Sequence, residues 1–192
     1  LIGREFLTDT VFRTQADKCA FETFWASPSG YNTFKAHNNQ LAEDPVINAS
    51  ILQAARNLHN ETAADQSAIF EDLEIRPIRG KGFGLVTTAP IEEGTLIGFY
   101  TGELQRDPGD AKSHYVFGLG IGPWIVDGKR KGGITTLINH SQRPNLGARI
   151  VHFKDMPRIL IYAAKDLPTG TELTMNYGRQ YWREVAKEVA AK

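Results

Sequence analysis

Beyond residue 70 the sequence breaks into short β-branched and aromatic runs: "GLVTTA", "TLIGFYTGEL", "HYVFGLG", "PWIVDG", "GARIVHF" and "RILIYAA". Each is bounded by Gly, Pro or polar turn residues, the pattern of short strands joined by tight connections. Amphipathic helices are absent between them, which argues against a doubly wound α/β sheet, because such a sheet needs a helix at every crossover. Before residue 70 the patterns are helical. A helix is expected from about Thr10 to Trp25, carrying Val11, Phe12, Cys19, Phe21, Phe24 and Trp25, with Ser27-Pro28-Ser29-Gly30 ending it. Asp44-Pro45 reads as a second helix start, with Ile47, Ile51, Ala55 and Leu58 following at helical spacing. The C-terminal "GRQYWREVAKEVAAK" returns to helix, with Tyr181, Val185 and Val189 on one face. The expected fold is mainly β, with an α-helical N-terminal flank over 1–70, a core over 71–178 and a short C-terminal helix over 179–192.

A chain of 192 residues with 41% hydrophobic composition buries a sizeable core without disulfides or metals. Its 22 basic residues balance 22 acidic ones, so no global field draws it to nucleic acid or a membrane, and neither is predicted as a direct partner. Any charged partner must be recognised locally. The single cysteine excludes an intrachain disulfide and a cysteine-rich zinc cluster. It fits an intracellular, reducing compartment, nucleus or cytoplasm. The longest apolar run, Ile159 to Ala164, is too short to span a bilayer. No signal peptide is visible, and the chain starts at Leu1 rather than Met, as a fragment or a processed form does.

Several tempting motifs fail on chemistry. "RGKGFG" lacks the Gly-Lys-Ser/Thr ending of a phosphate loop, and Thr87 stands where a dinucleotide fingerprint needs Gly or Ala. The histidines at 37, 59, 114, 140 and 152 show no metal-ligand spacing, so no metal is expected. His140 and Ser141 are neighbours, yet side chains adjacent in an extended chain point apart, which speaks against a nucleophilic triad. Cys19 has nothing local to activate it. The aromatics before Trp25 read as core rather than a cofactor box, and "DGKRKGG" (127–133) reads as a solvated hairpin loop.

One stretch resists any of these readings. "LINHSQRPN" (137–145) is polar and turn-forming, yet apolar Leu137 and Ile138 lead into it and strand-like sequence resumes at Gly147. It has company: "RGKGFGL", "IEEGTLIGFYTGEL", "HYVFGL", "IVDGKRKGGITTLINHSQRPN" and "GTELTMNYG" follow one another in order. In that order and at these spacings the chain resembles the SET domain of protein-lysine methyltransferases, from about residue 74 to 182. The resemblance implies small curved, β-clip-like sheets around a threaded pseudoknot, in which the Asn-His-Ser segment passes through a loop closed by the Glu-Leu…Tyr-Gly segment. The polar stretch would then be buried because ligand and crossing strand satisfy it.

The same resemblance implies S-adenosylmethionine as cofactor, S-adenosylhomocysteine as product, and no metal. Lys81, Gly82 and Phe83 would offer backbone groups to the methionine part, Gly82 allowing close approach. Asn139 and His140 would grip the cofactor, Tyr115 would help hold it, and Trp182 would stack over the adenine. Tyr100 and Tyr177 would line the channel for the target lysine, with Met175 where relatives carry a Phe or Tyr that helps set the number of methyl groups added. The substrate would be a protein or peptide held as an added strand, a histone tail by analogy. In-line transfer from a sulfonium needs alignment of a neutral amine rather than a dedicated acid–base pair. Thr136, Gln142 and Asn176 depart from the family pattern, which more often has Arg, Cys and Asp there, and the cysteine-rich zinc segment after the domain is missing. The terminal helix must then complete the pocket. The alternative is a SET-like module that binds peptide or cofactor without turnover; a β-rich structural domain without cofactor affinity stands third.

Overall fold

The computed structural model describes residues 5–6, 10–47, 49–60, 70–107, 109, 113–120, 122–153 and 156–190. The N-terminal part holds β1 (Glu5–Phe6), β2 (Val11–Phe12), α1 (Gln15–Trp25), α2 (Pro28–Glu43) and α3 (Ala49–Asn60). The remainder holds β3 (Leu73–Ile78), β4 (Gly82–Thr87), β5 (Leu96–Tyr100), β6 (Glu103–Arg106), β7 (Val116–Gly118), β8 (Trp124–Asp127) and β9 (Lys131–Gly132). A short 3-10 turn (Ile134–Leu137) then leads to β10 (Asn139–His140), β11 (Leu146–Phe153), β12 (Met156–Ala163), β13 (Thr174–Met175) and α4 (Gly178–Ala190). Every run expected to be a strand after residue 70 carries one.

The strands form several small sheets rather than one large one. β3 and β4 make a hairpin; β5, β12 and β11 form a three-stranded sheet; β2, β6, β8 and β7 form a four-stranded one. β12 is continuously buried from Pro157 to Ala163, which requires cover on both faces. Ile159, Ile161 and Ala163 face the main core with Ile97, Leu104, Trp124 and Ile138. The alternate residues Leu160 and Tyr162 face Ile51 and Ala55 of α3, together with Leu96, Phe99 and Val151. At ~25 cal/mol per Å² of apolar surface, side chains of this kind contribute roughly 1.5–3 kcal/mol each when fully buried.

Helix α3 is anchored by a buried polar knot. One oxygen of Asp44 accepts the backbone N–H of Val46 and Ile47 at 3.0 and 3.3 Å. The other accepts the Tyr162 hydroxyl at 2.7 Å and pairs with Arg149 at 2.7 Å. Burial opposes the charge on Asp44, but these donors together hold its pKa below the usual carboxylate value. The Tyr162 ring lies over Gly147 on the neighbouring strand, where a Cβ would come within 2.3 Å of it.

Three expectations for local structure are corrected and one is extended. Helix α1 starts at Gln15, not near Thr10: the Thr14 side chain caps it by accepting from Asp17 N at 3.0 Å, while Val11 and Phe12 pair in parallel with Glu103 and Leu104. Ser27-Pro28-Ser29-Gly30 ends α1 and also starts α2, with Pro28 at the first helical position and the Ser27 hydroxyl accepting from Gly30 N at 3.3 Å. Asp44-Pro45 caps a turn, and α3 begins only at Ala49. The "DGKRKGG" stretch is no plain solvated loop, since Lys131-Gly132 pairs in parallel with Glu5-Phe6 and Gly132 is buried. The side chains of Leu58 and Val189 lie outside the described ones.

Helix α2 meets β11 through two histidines. His37 Nδ1 lies 2.8 Å from His152 Nε2, the rings stack at 5.0 Å, and His37 Nε2 lies 3.1 Å from the Leu119 carbonyl. Trp25 stacks on the His152 ring and Phe34 meets it edge-on, both at 5.1 Å.

The polar stretch 137–145 is where the chain crosses itself. β10 lies parallel to β13, Asn139 opposite Thr174 and His140 opposite Met175, which is the crossing the resemblance implies. Ser141 N donates to the Met175 carbonyl at 2.9 Å. The buried Asn145 side chain donates to the Glu172 carbonyl and accepts from Thr174 N, both at 2.8 Å. The polar side chains are thus the hydrogen-bond partners of the segment they cross, so their burial leaves few groups unsatisfied.

Candidate active site

The crossing brings three sequence-distant segments around one hollow. The β3–β4 hairpin supplies Lys81 from its turn and Gly82 and Phe83 from the start of β4; β10 supplies Asn139 and His140; α4 supplies Tyr181 and Trp182. Gly82 holds φ at +80°, a conformation other residues rarely adopt, and a Cβ there would meet nothing within 4 Å. At Gly84 the reason is space instead: a Cβ would lie 2.7 Å from Asn139 Nδ2.

A small ion network fixes this wall. Asn139 Nδ2 donates to the Phe83 carbonyl at 3.2 Å and to Glu172 Oε1 at 3.0 Å. Lys81 Nζ donates to both oxygens of Glu172, each at 3.0 Å. Sequence reasoning had no reason to single out Glu172, because its role appears only once the hairpin turn and β10 meet beside it.

Two cavities adjoin at this crossing. The larger, of about 630 Å³, is lined by Lys81, Gly82, Phe83, Tyr115, Asn139, His140 and Trp182, every residue expected to hold a cofactor. The smaller, of about 340 Å³, is lined by Tyr100, Phe117, Met175 and Tyr177, which includes every residue expected in the lysine channel. His114, Tyr115, Thr136, Tyr177 and Tyr181 line both, so the two hollows meet there. His114 was not singled out for a role, and Tyr181 was read as a helix-packing residue. Only the fold of 113–120 and α4 against each other puts them at this junction.

Tyr177 sits at that junction. Its hydroxyl donates to the Ile138 carbonyl at 2.6 Å, and its backbone N–H donates to His140 Nδ1 at 3.2 Å. Burial, then the neighbouring Tyr181, Tyr115 and Glu172, push its pKa well up, so it stays a neutral phenol. The Tyr100 hydroxyl donates to the Tyr115 carbonyl at 2.6 Å, and the same carbonyl accepts Gly128 N at 2.9 Å. Rings stand edge to face across the opening: Tyr177 with Tyr181 at 4.7 Å, Tyr181 with Trp182 at 5.0 Å, and His140 with Trp182 at 4.9 Å.

His140 Nε2 is buried without a hydrogen-bond partner among the described residues. Desolvation, then the charge of Lys81, lowers its pKa, which keeps the ring neutral and able to take or give one hydrogen bond. The pairing of His140 with Ser141 is no triad: the Ser141 hydroxyl accepts from Arg143 N at 3.0 Å. A cavity of this size, an orphaned imidazole nitrogen, flanking aromatic rings and an adjacent cation–anion pair suit a nucleoside carrying a zwitterionic amino-acid end. S-adenosylmethionine has that chemistry.

Comparison with known proteins points the same way. The SET domain family profile matches residues 82–178. The chain is 34% identical over 107 residues to histone-lysine N-methyltransferase ATX2 of Arabidopsis thaliana, covering 50% of this chain and 10% of that protein. It is 35% identical over 118 residues to the H3 lysine-4 specific histone-lysine N-methyltransferase of Schizosaccharomyces pombe, covering 56% and 13%. The chain thus spans only about a tenth of the length of these curated relatives. Among solved structures it resembles KRYPTONITE in complex with DNA, an H3(1-15) peptide and SAH, with a TM-score of 0.50 and 28% identity over 55% of this chain and 23% of that one.

Proposed function

This chain belongs to the SET-domain family, and on that premise we propose that it is an S-adenosylmethionine-dependent protein-lysine N-methyltransferase with a histone tail as substrate. The observation that carries the reading is the meeting of two cavities at Tyr177, one lined by the residues suited to the cofactor and the other by Tyr100 and Met175. The catalytic unit is residues 71–178, and 179–192 completes the cofactor pocket through Tyr181 and Trp182. A single pocket would suit a binding module; two adjoining pockets that share Tyr177 in their lining favour turnover.

S-adenosylmethionine supplies a methyl group activated by a sulfonium and leaves as S-adenosylhomocysteine. The hairpin turn at 81–83 offers backbone groups to its amino-acid end, with the Lys81–Glu172 pair alongside to match a zwitterion. Asn139, His140 and Trp182 hold the rest. Tyr100, Phe117 and Met175 give the lysine an apolar passage, which lowers the pKa of its amine and excludes water. Tyr177 donates its proton to Ile138, so its oxygen lone pairs are left to accept weak C–H···O contacts from a methyl group in transit. Carbonyls and a fixed phenol orient the amine for in-line displacement, and such pre-alignment contributes most of what this reaction needs.

The substrate lies as an extended strand. β7 is the outer strand of its four-stranded sheet, and Val116, Phe117 and Gly118 line the smaller cavity, so an added strand there would deliver a lysine to the channel. The relatives' names favour a histone tail, and a histone substrate favours the nucleus. The test is transfer of labelled methyl to a panel of histones and tail peptides, with mass spectrometry locating the mark. No transfer to any of them, together with an unchanged melting curve at saturating cofactor, would exclude the enzyme.

A further inference from the structure

The N-terminal helices reach the wall of the smaller cavity at a single polar contact. Resting on the reading above, we infer that His37 is a positioning residue for the peptide substrate. By holding the Leu119 carbonyl it fixes the end of β7, the edge that receives the added strand, and so sets peptide affinity while leaving the cofactor site alone.

The inference follows from how that end of β7 is anchored. Gly118 and Gly120 both line the smaller cavity, and a Cβ on either would meet nothing within 4 Å, so they are bare backbone in its wall. Leu119 between them is the anchor. Its side chain is fully buried in the core that also holds Phe21 and Trp124. Its N–H donates to the Trp124 carbonyl at 3.1 Å, which carries the β7–β8 pairing one residue beyond Gly118. Its carbonyl meets Nε2 of His37, on α2, at 3.1 Å. His37 is itself only 4% exposed, so water does not compete for this bond.

The hydrogen-bond pattern assigns the tautomer that this role needs. A carbonyl can only accept, so His37 Nε2 carries the hydrogen. Burial keeps the ring neutral, which leaves Nδ1 as an acceptor. His152 Nε2, 2.8 Å from that Nδ1, therefore donates to it. Trp25 and Phe34 pack on the His152 ring, so the donor that fixes the His37 tautomer is itself fixed. The chain of bonds runs from β11 through α2 to the strand edge. Neither histidine, nor any of residues 116–120, lines the larger cavity. His37 also lies outside the residues 82–178 that the family profile matches, so the peptide edge is held by a part of the chain beyond the shared domain.

The test is steady-state kinetics on a lysine peptide with the wild type, His37→Phe and His37→Gln, beside the thermal shift each gives with S-adenosylmethionine. Phe keeps a ring and removes the donor, whereas Gln can place an amide N–H where Nε2 stood. His37→Phe should raise the peptide KM about tenfold, the size of one buried hydrogen bond. Its kcat should stay within about twofold of wild type, the pattern of lost binding rather than lost chemistry. His37→Gln should restore the wild-type KM, and all three proteins should show the same cofactor shift. A second readout needs no turnover: in His37→Phe the Leu119 amide should exchange faster relative to the amides of β12. Should His37→Phe fail to fold, His37→Asn, whose shorter amide falls short of the carbonyl, carries the same comparison. An active wild type whose peptide KM or Leu119 exchange is unchanged in the donorless variant overturns the inference alone. So does a KM raised equally by Gln and Phe, or a cofactor shift that falls along with peptide affinity. A wild type inactive on every histone and peptide overturns the enzymatic reading and the inference together.

Discussion

The hydroxyl of Tyr177 and the carbonyl of Ile138 are joined at 2.6 Å across the point where the two cavities meet. The bond orients the ring without being needed to fold it, because Tyr177 also packs against the core. Tyr177→Phe should therefore keep the melting midpoint and cofactor affinity near wild type while lowering turnover by about one to three orders of magnitude, as loss of an oriented polar group in a closed site does. Steady-state kinetics with a parallel cofactor titration separates the two. Full activity in this variant and in Tyr100→Phe would put the lysine channel elsewhere.

The cofactor wall should be breakable from behind. Gly84→Ala would drive a methyl group to within 2.7 Å of Asn139 Nδ2 and 2.8 Å of Ile78 Cγ1, so the amide must leave its place between Phe83 and Glu172. Asn139→Ala removes the amide outright and strips Glu172 of one donor. Each should weaken cofactor binding by roughly 1–3 kcal/mol, seen as a reduced rise in melting midpoint at fixed cofactor. Equal shifts in wild type and both variants would show that the Asn139 amide does not contact the cofactor.

Met175 is buried and lines the smaller cavity. A thioether is a weak acceptor on a flexible chain, so it should hold poorly any water that a second methyl group must displace. The wild type is expected to proceed beyond monomethyl-lysine, and Met175→Tyr to shift products toward it. Mass spectrometry of a peptide run to completion with both proteins decides this. Strict monomethylation by the wild type would assign the limit to other channel residues, Phe117 and Tyr100 first.

Acid should loosen the joint between α2 and β11. Burial, then the neighbouring His37, pushes the His152 pKa down to about 4, and burial lowers that of His37 as well. In the unfolded chain an imidazole titrates near ~6.5, so between that value and about 4 the unfolded state binds protons that the folded state refuses. Stability therefore falls as pH falls through that window, and Asp44, whose carboxylate is held low, adds a further loss at more acid pH. Melting midpoints should drop from about pH 7 to about pH 5, and the double variant His37→Leu/His152→Phe should flatten the slope. A wild-type midpoint constant across that range would show that the pair is protonated without cost.

What could be read from sequence was what depends on short contiguous motifs. Lys81, Gly82 and Phe83 are contiguous, Asn139 and His140 share one strand, and Met175 and Tyr177 lie two residues apart, so each group travels with its own signal. Residues that act only through a distant neighbour carried none: Glu172 matters because Lys81 and Asn139 arrive beside it, and His37 because the Leu119 carbonyl does. The N-terminal errors have the same origin. Val11 and Phe12 extend because Glu103 and Leu104 pair with them, and local propensity says nothing of that. Helix α2 lacks a clear apolar period, and it docks through His37 rather than through an aliphatic stripe.

The parallel pairing of Asn139-His140 with Thr174-Met175 has a bearing on how the protein comes to be folded. Those two short segments are far apart in the chain and exchange few bonds, so closing them costs loop entropy that only a largely assembled core can offset. The sheets of β3–β4 and β5–β12–β11 can form first, and the strands of the crossing last. Both cavities share that final step, so cofactor and lysine sites would be gained or lost together. In hydrogen exchange the amides of Ser141 and Asn145, which donate to the crossing segment, would open as one unit, ahead of the amides of β12. Catalytic competence would then be the last thing a newly made chain acquires and the first that gentle denaturant removes.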